Sequence, residues 1–312
     1  MDINSTLIAV FLFPGLLFLC AYATTLEFVD RHVYARLQNR QGPPWYQPIA
    51  DFLKLMGKEV IIPAGADKTM YKLLPLVSFA AVATAFLCVP VFGPAVKAFN
   101  GDLIVVLYLL TIPTACFYLA GWYSTSIYAT IGSVRALTQL FSYEVPLFMA
   151  LLAPAMLAGS WSITEISAYY AANPLYVLFN LPALVVALLA VQGKLERVPF
   201  DLPEAETELA GGTFVEYSGR YYAMFRMTVD CELVVLSALI AAIFVPLSFD
   251  IWWMEVLCFF ISTLLIVFVL TFIRATMPRV RIDQMVRFCW IYLTPLAMAQ
   301  IILNLFLRGV VG

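Results

Sequence analysis

Residues 253–273 read WMEVLCFFISTLLIVFVLTFI, an apolar run that carries a single charge, Glu255. A helix rises about 1.5 Å per residue, so a run of this length crosses the roughly 30 Å hydrocarbon core of a bilayer. Similar runs lie at 6–26, 73–92, 103–123, 136–158, 175–191, 223–244 and 286–307. The sequence therefore predicts an all-α polytopic membrane protein with about eight transmembrane helices.

The overall composition supports the same class of protein. Hydrophobic residues make up 63% of the chain and charged residues 12%, with a mean hydropathy of +0.91, whereas a soluble domain is roughly 25% charged. The net charge of -2 provides no basic surface for phosphates, which excludes nucleic acid as a partner. Since no repeat or low-complexity segment is visible, we predict one integral membrane domain over residues 1–312.

Residues that could ligate a redox centre are few and scattered. The six cysteines form no CxxC pair, and each lies in apolar sequence: Cys20, Cys88, Cys116, Cys231, Cys258 and Cys289. His32 is the only histidine, whereas haem and zinc sites normally use more ligands of these types. We therefore expect this chain to bind no metal or cofactor and to be a non-catalytic subunit.

The distribution of positive charge predicts the orientation. Eight spans place both termini on one side, and every Lys and Arg except Lys97 and Arg308 falls in or beside the loops of the other side. Because cytoplasmic loops are enriched in Lys and Arg, the termini are expected outside and the long polar loops in the cytoplasm. Residues 47–58, QPIADFLKLMGK, have a helical apolar face. This pattern favours a cytoplasmic amphipathic helix at the membrane surface, or equally a connector packed on a partner protein.

Carboxylates inside apolar runs are candidate ion-path residues, because each charge costs at least ~2.5 kcal/mol in a bilayer. Glu144 lies within the run 136–158, close to Pro146, which releases a backbone carbonyl and bends the helix. It is either a proton-carrying group or half of a salt bridge, for example with Arg135. In the run 223–244, Asp230 stands four residues after Arg226 and can pair with it.

Glu232 has no basic residue three or four positions away, so its partner must come from another helix or from water. It is therefore a better candidate for a titrating group than Asp230.

The loop at 196–208 reads ERVPFDLPEAETE and is the most acidic part of the chain. Asp201 can cap a helix that has Pro203 in its first turn and Glu204 at its third position. Helix capping by Asp201 gives no role to Glu206, Glu208 or, further along the chain, Glu216. Neighbouring carboxylates raise one another's pKa. The loop is thus either a proton relay in which Glu204, Glu206, Glu208 and Glu216 titrate as a coupled unit, or a solvated acidic surface.

Four stretches resemble, in order, the subunit 1 family of respiratory complex I, which includes the membrane subunits of energy-converting hydrogenases. They are RLQNRQGP at 36–43 with QPIAD at 47–51, SYEV at 142–145 after Gln139, RVPFDLPEAE at 197–206 with EYSG at 216–219, and MPRVRIDQ at 277–284 after Arg274. Two departures favour the hydrogenase, formate hydrogenlyase and sulfane reductase branch. In the first loop, Gly42-Pro43 and Gln47-Pro48 are separated by only a short segment, whereas complex I members usually have several more residues there. In addition, Val229-Asp230 stand where complex I members commonly carry Glu-Tyr.

The resemblance implies a membrane anchor and ion-coupling subunit that lines an acidic path. Implied partners are a hydrogenase-like large subunit with a [NiFe] or related centre, an Fe–S small subunit that carries the clusters, and antiporter-like membrane subunits. Charged residues of the matching loops are implied to dock the electron-transfer arm or to hold the structure: Arg31, Arg36, Arg40, Asp51, Arg135, Arg197, Arg274, Arg279, Arg281 and Asp283.

Three other functions remain open. One is the quinone-cavity subunit of an oxidoreductase that takes electrons from NADH, a reduced deazaflavin or ferredoxin. Another is a passive membrane scaffold. A third, a stand-alone ion transporter, would favour inverted repeats, which the sequence lacks.

Overall fold

The computed structural model describes residues 8–91, 93, 95–204, 206–245 and 251–311, with the backbone alone at 206, 207, 310 and 311. This part of the chain is built from helices, and the all-α prediction is confirmed. In chain order they are α1 Leu16–Leu37, α2 Gln47–Gly57, α3 Lys68–Cys88, α4 Asp102–Tyr123, α5 Ile127–Ala158, α6 Ile163–Ala172, α7 Leu175–Phe179, α8 Leu181–Lys194, α9 Glu206–Leu209, α10 Gly219–Phe244, α11 Trp252–Thr276, α12 Ile282–Phe288 and α13 Thr294–Val311. A 3-10 turn, Gly212–Phe214, precedes α10, and a π-helical turn, Cys289–Leu293, joins α12 to α13.

Within the described residues, seven helical segments are long and apolar enough to cross a membrane: Ile8–Leu37, Lys68–Cys88, Asp102–Tyr123, Ile127–Ala158, Gly219–Phe244, Trp252–Thr276 and Ile282–Gly309. They correspond to seven of the predicted runs, which confirms a multi-pass membrane protein. The first two residues of the predicted run 6–26 and the last residue of 73–92 lie outside the described residues.

The fifth predicted run, 175–191, is a broken crossing rather than one continuous span. It contains the short helix α7 and then α8, whose 14 residues extend only about 21 Å. Asn180 stands between them, and its side-chain amide donates to Tyr170. On α13, Gln300 donates to the Phe179 carbonyl at 2.8 Å and Asn304 donates to Asn180 at 2.7 Å. These amides satisfy polar groups at the break, which is the condition for irregular backbone at membrane depth.

Helix α10 lies at the centre of the molecule. Of its most apolar 18-residue stretch, 83% is buried, as expected of a helix that is hydrophobic on all sides. It packs against α1, α3 and α11. Glu232 on α10 is therefore enclosed by other helices, and Asp230, two residues earlier, is half-buried.

Helix α2 matches the amphipathic helix expected at 47–58. Its Pro48 is buried and Phe52 packs on the core, whereas Ile49, Leu53 and Met56 are exposed. The exposed apolar side chains suit either a membrane surface or a partner protein, so both interpretations stay open.

The loops predicted to lie on one side of the membrane meet at one end of the molecule. Ile61 donates its backbone N–H to Ser218 at 3.0 Å, and the N–H of Val280 donates to Pro199 at 3.0 Å. At the other end, the N–H of Ile163 donates to Asp102 at 2.7 Å. The acidic loop therefore packs against the last loop, 277–281, and not against lipid alone.

One local prediction about the acidic loop is wrong. Asp201 does not cap a helix that includes Pro203 and Glu204, because the next helix, α9, begins only at Glu206. The Asp201 carboxylate instead lies 3.9 Å from the guanidinium of Arg279, which also donates to the Asp201 carbonyl. Asp201 therefore interacts with Arg279 of the last loop and does not serve as the predicted helix N-cap.

Candidate functional site

A buried ion-pair cluster lies at the inner end of α1. The first predicted span ends at Leu26, but α1 continues to Leu37 and places Glu27 and Asp30 three residues apart on one face. Asp30 is fully buried and Glu27 is 4% exposed. Buried charges of this kind require partners.

Three arginines supply those partners. Arg197 reaches both carboxylates, with Nη2 3.1 Å from Glu27 and Nη1 3.0 Å from Asp30. Arg274 on α11 lies 2.9 Å from Asp30, and Arg31 lies 2.6 Å from Glu27. The cluster ties α1 to α11 and to the loop after α8. Of the predicted docking or structural residues, these three therefore have a structural explanation.

Two glutamines set the position of the loop that carries Arg197. Gln139 on α5 donates to the carbonyls of Gly193 and Phe200 at 2.7 and 2.8 Å. Gln192 donates to the carbonyls of Val198 and Leu270 at 2.9 and 3.1 Å. Through the loop carbonyls of Val198 and Phe200, these bonds fix the loop against α5 and α11.

A polar cavity of about 350 Å³ opens beside the ion-pair cluster. It is lined by Glu27, Leu195, Glu196, Arg197, Val198, Asp201, Glu204, Arg226, Val229, Asp230, Arg274 and Arg279. Such a volume holds several water molecules, since one water occupies about 30 Å³ in the liquid. Acidic and basic side chains thus surround a space that can be hydrated at the end of the helix bundle.

Asp230 contributes an unpaired carboxylate to this cavity. The predicted direct pair with Arg226 is absent, since no nitrogen of Arg226 lies within 4.0 Å of the Asp230 carboxylate, although the two charges interact over a longer distance. Arg226 instead lies 3.8 Å from Glu204 across the cavity. Asp230 is half-buried, and its buried Oδ1 accepts no hydrogen bond from the described part of the chain. Water in the cavity can supply the missing donor.

Glu196 connects the cavity to the deeper part of the bundle. It is half-buried, and its Oε1 accepts no hydrogen bond from the described residues. Burial raises the pKa of Glu196 well above its usual value, the charges of Glu204, Glu232 and Asp201 raise it further, and Lys194 lowers it. The neutral form of this carboxyl is therefore favoured at higher pH than in a solvated glutamate.

A buried lysine and a buried glutamate form an ion pair inside the bundle. Lys194 at the end of α8 lies 3.2 Å from Glu232 on α10, and their side chains are only 2% and 1% exposed. The ammonium also donates to the carbonyl of Leu110 and, at 3.3 Å, to Thr114 on α4. The partner that Glu232 required from another helix is therefore Lys194.

Glu144 lies on α5, beside Tyr143, and is half-buried. No ion pair or hydrogen bond of its side chain is found within the described residues, so the structure lacks the salt bridge to Arg135 that the sequence left open. Arg135 instead binds Glu208 at 2.8 Å. The Tyr143 ring faces Lys194, whose Nζ lies 5.8 Å from the ring centroid. Glu144 is thus the neighbouring carboxyl without a counter-charge.

The acidic loop residues do not form one cluster. Glu204 lines the cavity, whereas Glu208 is mostly exposed and its hydrogen bond from Arg135 lowers its pKa. Glu216 is half-buried near Tyr71, which donates to its backbone carbonyl, and it lies away from the cavity. The side chain of Glu206 lies outside the described residues. The expectation that all four titrate together is therefore not supported for Glu208 and Glu216.

The remaining predicted docking residues are on the surface. Arg36, Arg40, Arg281 and Asp283 are exposed. A second, shallower groove of about 390 Å³ contains Arg135, Leu202, Glu208, Arg279, Val280, Arg281, Ile282 and Asp283. Arg279 lines both spaces. Asp51 on α2 is 3.0 Å from Arg31, which links the first loop to the buried cluster.

In the part of the chain that the structure describes, no group of three or more His, Cys, Asp or Glu side chains is placed to hold a metal ion. The six cysteines are free thiols. The carboxylates and arginines around the cavity can bind water, exchange protons and pair their charges.

Comparisons with known proteins identify the family of the chain. The NADH dehydrogenase family matches residues 8–305. The chain belongs to this family. An NADH-quinone oxidoreductase subunit of Geobacillus kaustophilus is 37% identical over 317 residues, which cover 95% of this chain and 93% of that protein. NADH-quinone oxidoreductase subunit 8 of Thermus thermophilus is 38% identical over 305 residues, covering 91% of this chain and 81% of that protein.

A solved structure shows the same fold in a different complex. A chain of the membrane-bound sulfane sulfur reductase, an archaeal respiratory membrane complex, matches with a TM-score of 0.82 and 29% identity, covering 92% of this chain and 97% of that chain. The predicted resemblance is confirmed, and the chain is a membrane subunit of a complex I-related type.

Sequence reasoning missed several residues of the site. Glu27 and Asp30 directly follow an apolar run, a position that favours the start of a loop. Lys194 has the sequence position of an ordinary loop charge, and Glu196 begins the acidic loop without a predicted role. A signal was available for Lys194, because it closely follows the apolar run 175–191 and Glu232 needed a cationic partner from another helix.

Proposed function

We propose that this chain is the membrane anchor and ion-coupling subunit of a complex I-related oxidoreductase, in which electron transfer in an attached arm drives proton or sodium translocation. The observation that carries the proposal is the row of carboxyl groups from the cavity into the bundle. Asp230, Glu204 and Glu196 line the cavity, the charge of Glu196 interacts with those of Lys194 and Glu232, and these last two side chains form a buried pair.

The charges on this row suit proton movement. Glu196 and Asp230 each present a buried oxygen that no described protein group binds, and a cavity of about 350 Å³ brings water to both. Carboxyl groups that share water and whose charges interact exchange protons readily. A passive scaffold would have no use for unpaired carboxyl groups, since each one destabilises a buried site.

The cavity end is the side on which the arm attaches. Most Lys and Arg residues lie there, which favours the cytoplasm by the positive-inside rule. Both termini then face outward. The exposed charges of Arg36, Arg40, Arg281 and Asp283 form the surface proposed to dock a hydrogenase-like large subunit and an Fe–S small subunit. Antiporter-like subunits are the proposed membrane partners.

Two branches of the family are candidates for the complex. The short first loop at 42–48 and the dipeptide Val229-Asp230 favour the hydrogenase and sulfane reductase branch. In that branch the partner subunits hold a [NiFe] or related centre and Fe–S clusters. The likeness to the sulfane sulfur reductase chain supports it. The second candidate is the quinone-cavity subunit, favoured by relatives that are 37% and 38% identical and bear the name NADH-quinone oxidoreductase.

The test uses the intact complex reconstituted in liposomes, with ions transported per electron as the readout. Asp230→Asn and Glu196→Gln should assemble and transfer electrons while transport falls by about tenfold or more, because proton transfer by a placed group contributes roughly 10²–10⁴-fold. The matched control is Glu208→Gln, an exposed acid of the same loop that lies outside the cavity. If both cavity variants and Glu144→Gln transport as the parent does, the chain is a passive scaffold.

A further inference from the structure

Lys194 and Glu232 pair deep in the bundle, outside the lining of the cavity, and a third ionisable side chain, Glu144, lies near enough to Lys194 for their charges to interact. Lys194 and Glu232 are buried against one another at 3.2 Å. Glu144 lies on the neighbouring helix α5, next to Tyr143, whose ring faces the ammonium at 5.8 Å. Helices α5 and α8 approach closely here, since a side chain added at Gly193 would lie 3.2 Å from the Cβ of Tyr143.

The charges of Lys194, Glu232 and Glu144 restrict which of the three side chains can be ionised at the same time. One ammonium and two carboxylates would leave a net negative charge at membrane depth, where an uncompensated charge is strongly unfavourable. The neutral combination is one ammonium, one carboxylate and one protonated carboxyl. A single proton is therefore distributed between Glu144 and Glu232. The other ionisable groups that face Lys194 are Tyr143, whose hydroxyl is 3.0 Å from Thr114, and Glu196 on the cavity side.

We propose that Lys194 is a mobile counter-charge that pairs with whichever of Glu232 and Glu144 has lost its proton. In the first state, the ammonium pairs with the Glu232 carboxylate, as it does in the structure, and Glu144 holds the proton. In the second state, the proton has passed from the carboxyl of Glu144 to the carboxylate of Glu232, and the ammonium has moved to Glu144. The total charge of the three groups is zero in both states. This inference rests on the proposed ion path.

The surroundings of the ammonium permit this movement. Lysine is a compact point charge on a flexible chain, unlike the planar fork of arginine. Its other two contacts, the Leu110 carbonyl and the Thr114 hydroxyl, are neutral, so no second carboxylate holds it in place. The face of the Tyr143 ring, 5.8 Å from the ammonium and next to Glu144 in the sequence, stabilises the cation through a cation–π contact. Apart from the ammonium, no described group binds either oxygen of Glu232, which leaves its carboxylate dependent on Lys194.

The experiment substitutes both members of the Lys194–Glu232 ion pair in one variant. Replacing both members of a buried ion pair is often tolerated, whereas removing one leaves the other charge uncompensated. The double variant Lys194→Met with Glu232→Gln is therefore expected to assemble in the intact complex and to retain electron transfer. Transport per electron in liposomes should fall on the order of 100-fold, the contribution typical of a placed proton-transfer group. The control is Lys97→Met, an exposed lysine at the other end of the molecule.

A second readout follows the proton directly. Infrared difference spectra of the complex, recorded between its oxidised and reduced states, should show one carboxylic-acid carbonyl band lost and another gained. Glu144→Gln should remove the first band and Glu232→Gln the second. A merely structural ion pair would leave both bands absent in the parent, and this result would overturn the proposal even if the double variant failed to assemble.

The outcomes separate this inference from the proposed function. If Glu144→Gln abolishes transport while the assembled double variant transports normally, Lys194 is a structural cation and the mobile counter-charge is refuted. The ion path would then stand without it. If Glu144→Gln and the cavity variants also transport normally, the proposed function itself is refuted.

Discussion

Asp30 and Arg274 stand 244 residues apart in the sequence, yet Nη1 of the arginine lies 2.9 Å from Oδ2 of the carboxylate. Arg197 approaches the same oxygen at 3.0 Å, and Thr271 donates its hydroxyl to Oδ1 at 2.6 Å. A fully buried carboxylate thus joins α1, α11 and the loop after α8. The cavity owes its shape to this contact, because Arg197 and Arg274 both line it.

Asp30→Asn should therefore destabilise the subunit. The amide keeps the shape but leaves two arginines near the bundle interior without their shared counter-charge, and breaking a buried pair costs about 3–5 kcal/mol. The measurement is the thermal midpoint and the yield of the intact complex after detergent extraction. Asp283→Asn, an exposed aspartate at the same end of the molecule, is the control and should behave as the parent. Equal midpoints for the two variants would contradict a stabilising role for Asp30.

Gly212→Ala should disturb the acidic loop. Gly212 adopts a left-handed conformation with φ +57°, and an added Cβ would lie 1.7 Å from the Pro203 carbonyl oxygen. The backbone must shift to relieve this contact, so Glu204 should move away from Arg226. We expect the yield of complex to fall together with transport. Gly57→Ala is the control, because the same addition meets no atom within 4 Å there; if both alanine variants assemble equally well, the loop tolerates the shift.

Glu144→Gln should leave the complex assembled and electron transfer intact while transport falls severely. The structure gives the reason for normal assembly: the Glu144 side chain has no ion pair or hydrogen bond with the described residues, so the amide leaves no partner unsatisfied. It cannot carry a proton, and a loss of roughly 10²-fold or more is expected. Glu165→Gln, an exposed acid at the other end, is the control. Reconstituted Glu144→Gln complex that transports at the parental rate would remove Glu144 from the path.

The sequence predicted the helices well because a bilayer span imposes its own length and composition. It also predicted that Glu232 must find a partner on another helix, since no basic residue lies one turn away. The structure provides Lys194. The broken fifth span was less visible, because its apolar composition continues through Asn180 although the helix does not.

The buried cluster could not be read from the sequence. Glu27 pairs with Arg197 across 170 residues, and such a contact depends on how helices pack rather than on local spacing. Arg226 illustrates the same limit. Arg226 lies four residues before Asp230, which is the spacing of an ion pair within one helix. The acidic loop instead brings the Glu204 carboxylate to 3.8 Å from the Arg226 guanidinium. Tertiary contacts decided the pairing.

Glu196→Gln should change how the stability of the complex depends on pH. Burial raises the pKa of Glu196 in the folded state, so the folded state binds more protons than the unfolded state between the two pKa values. Its contribution to stability is fully present below the unfolded pKa and is lost as pH rises through the folded pKa. The variant cannot ionise and escapes this loss. Its thermal midpoint relative to the parent should rise with pH, by about 2 °C or more for each kcal/mol regained. A difference that is constant with pH would show that Glu196 is solvated.

The last prediction concerns Glu204 and Glu208, which share a loop but not an environment. Glu204 raises the pKa of Glu196 through its charge. Glu204→Gln should therefore lower the pKa of Glu196 and move the pH optimum of coupled transport toward acid. Glu208 is exposed and bound to Arg135, and salt screens exposed charges beyond about 8–10 Å, so Glu208→Gln should leave the profile unchanged. The double variant should then match Glu204→Gln alone. A further acid shift in the double variant would show that both carboxylates belong to one coupled unit, and superimposable profiles for all three variants would make the loop a docking surface alone.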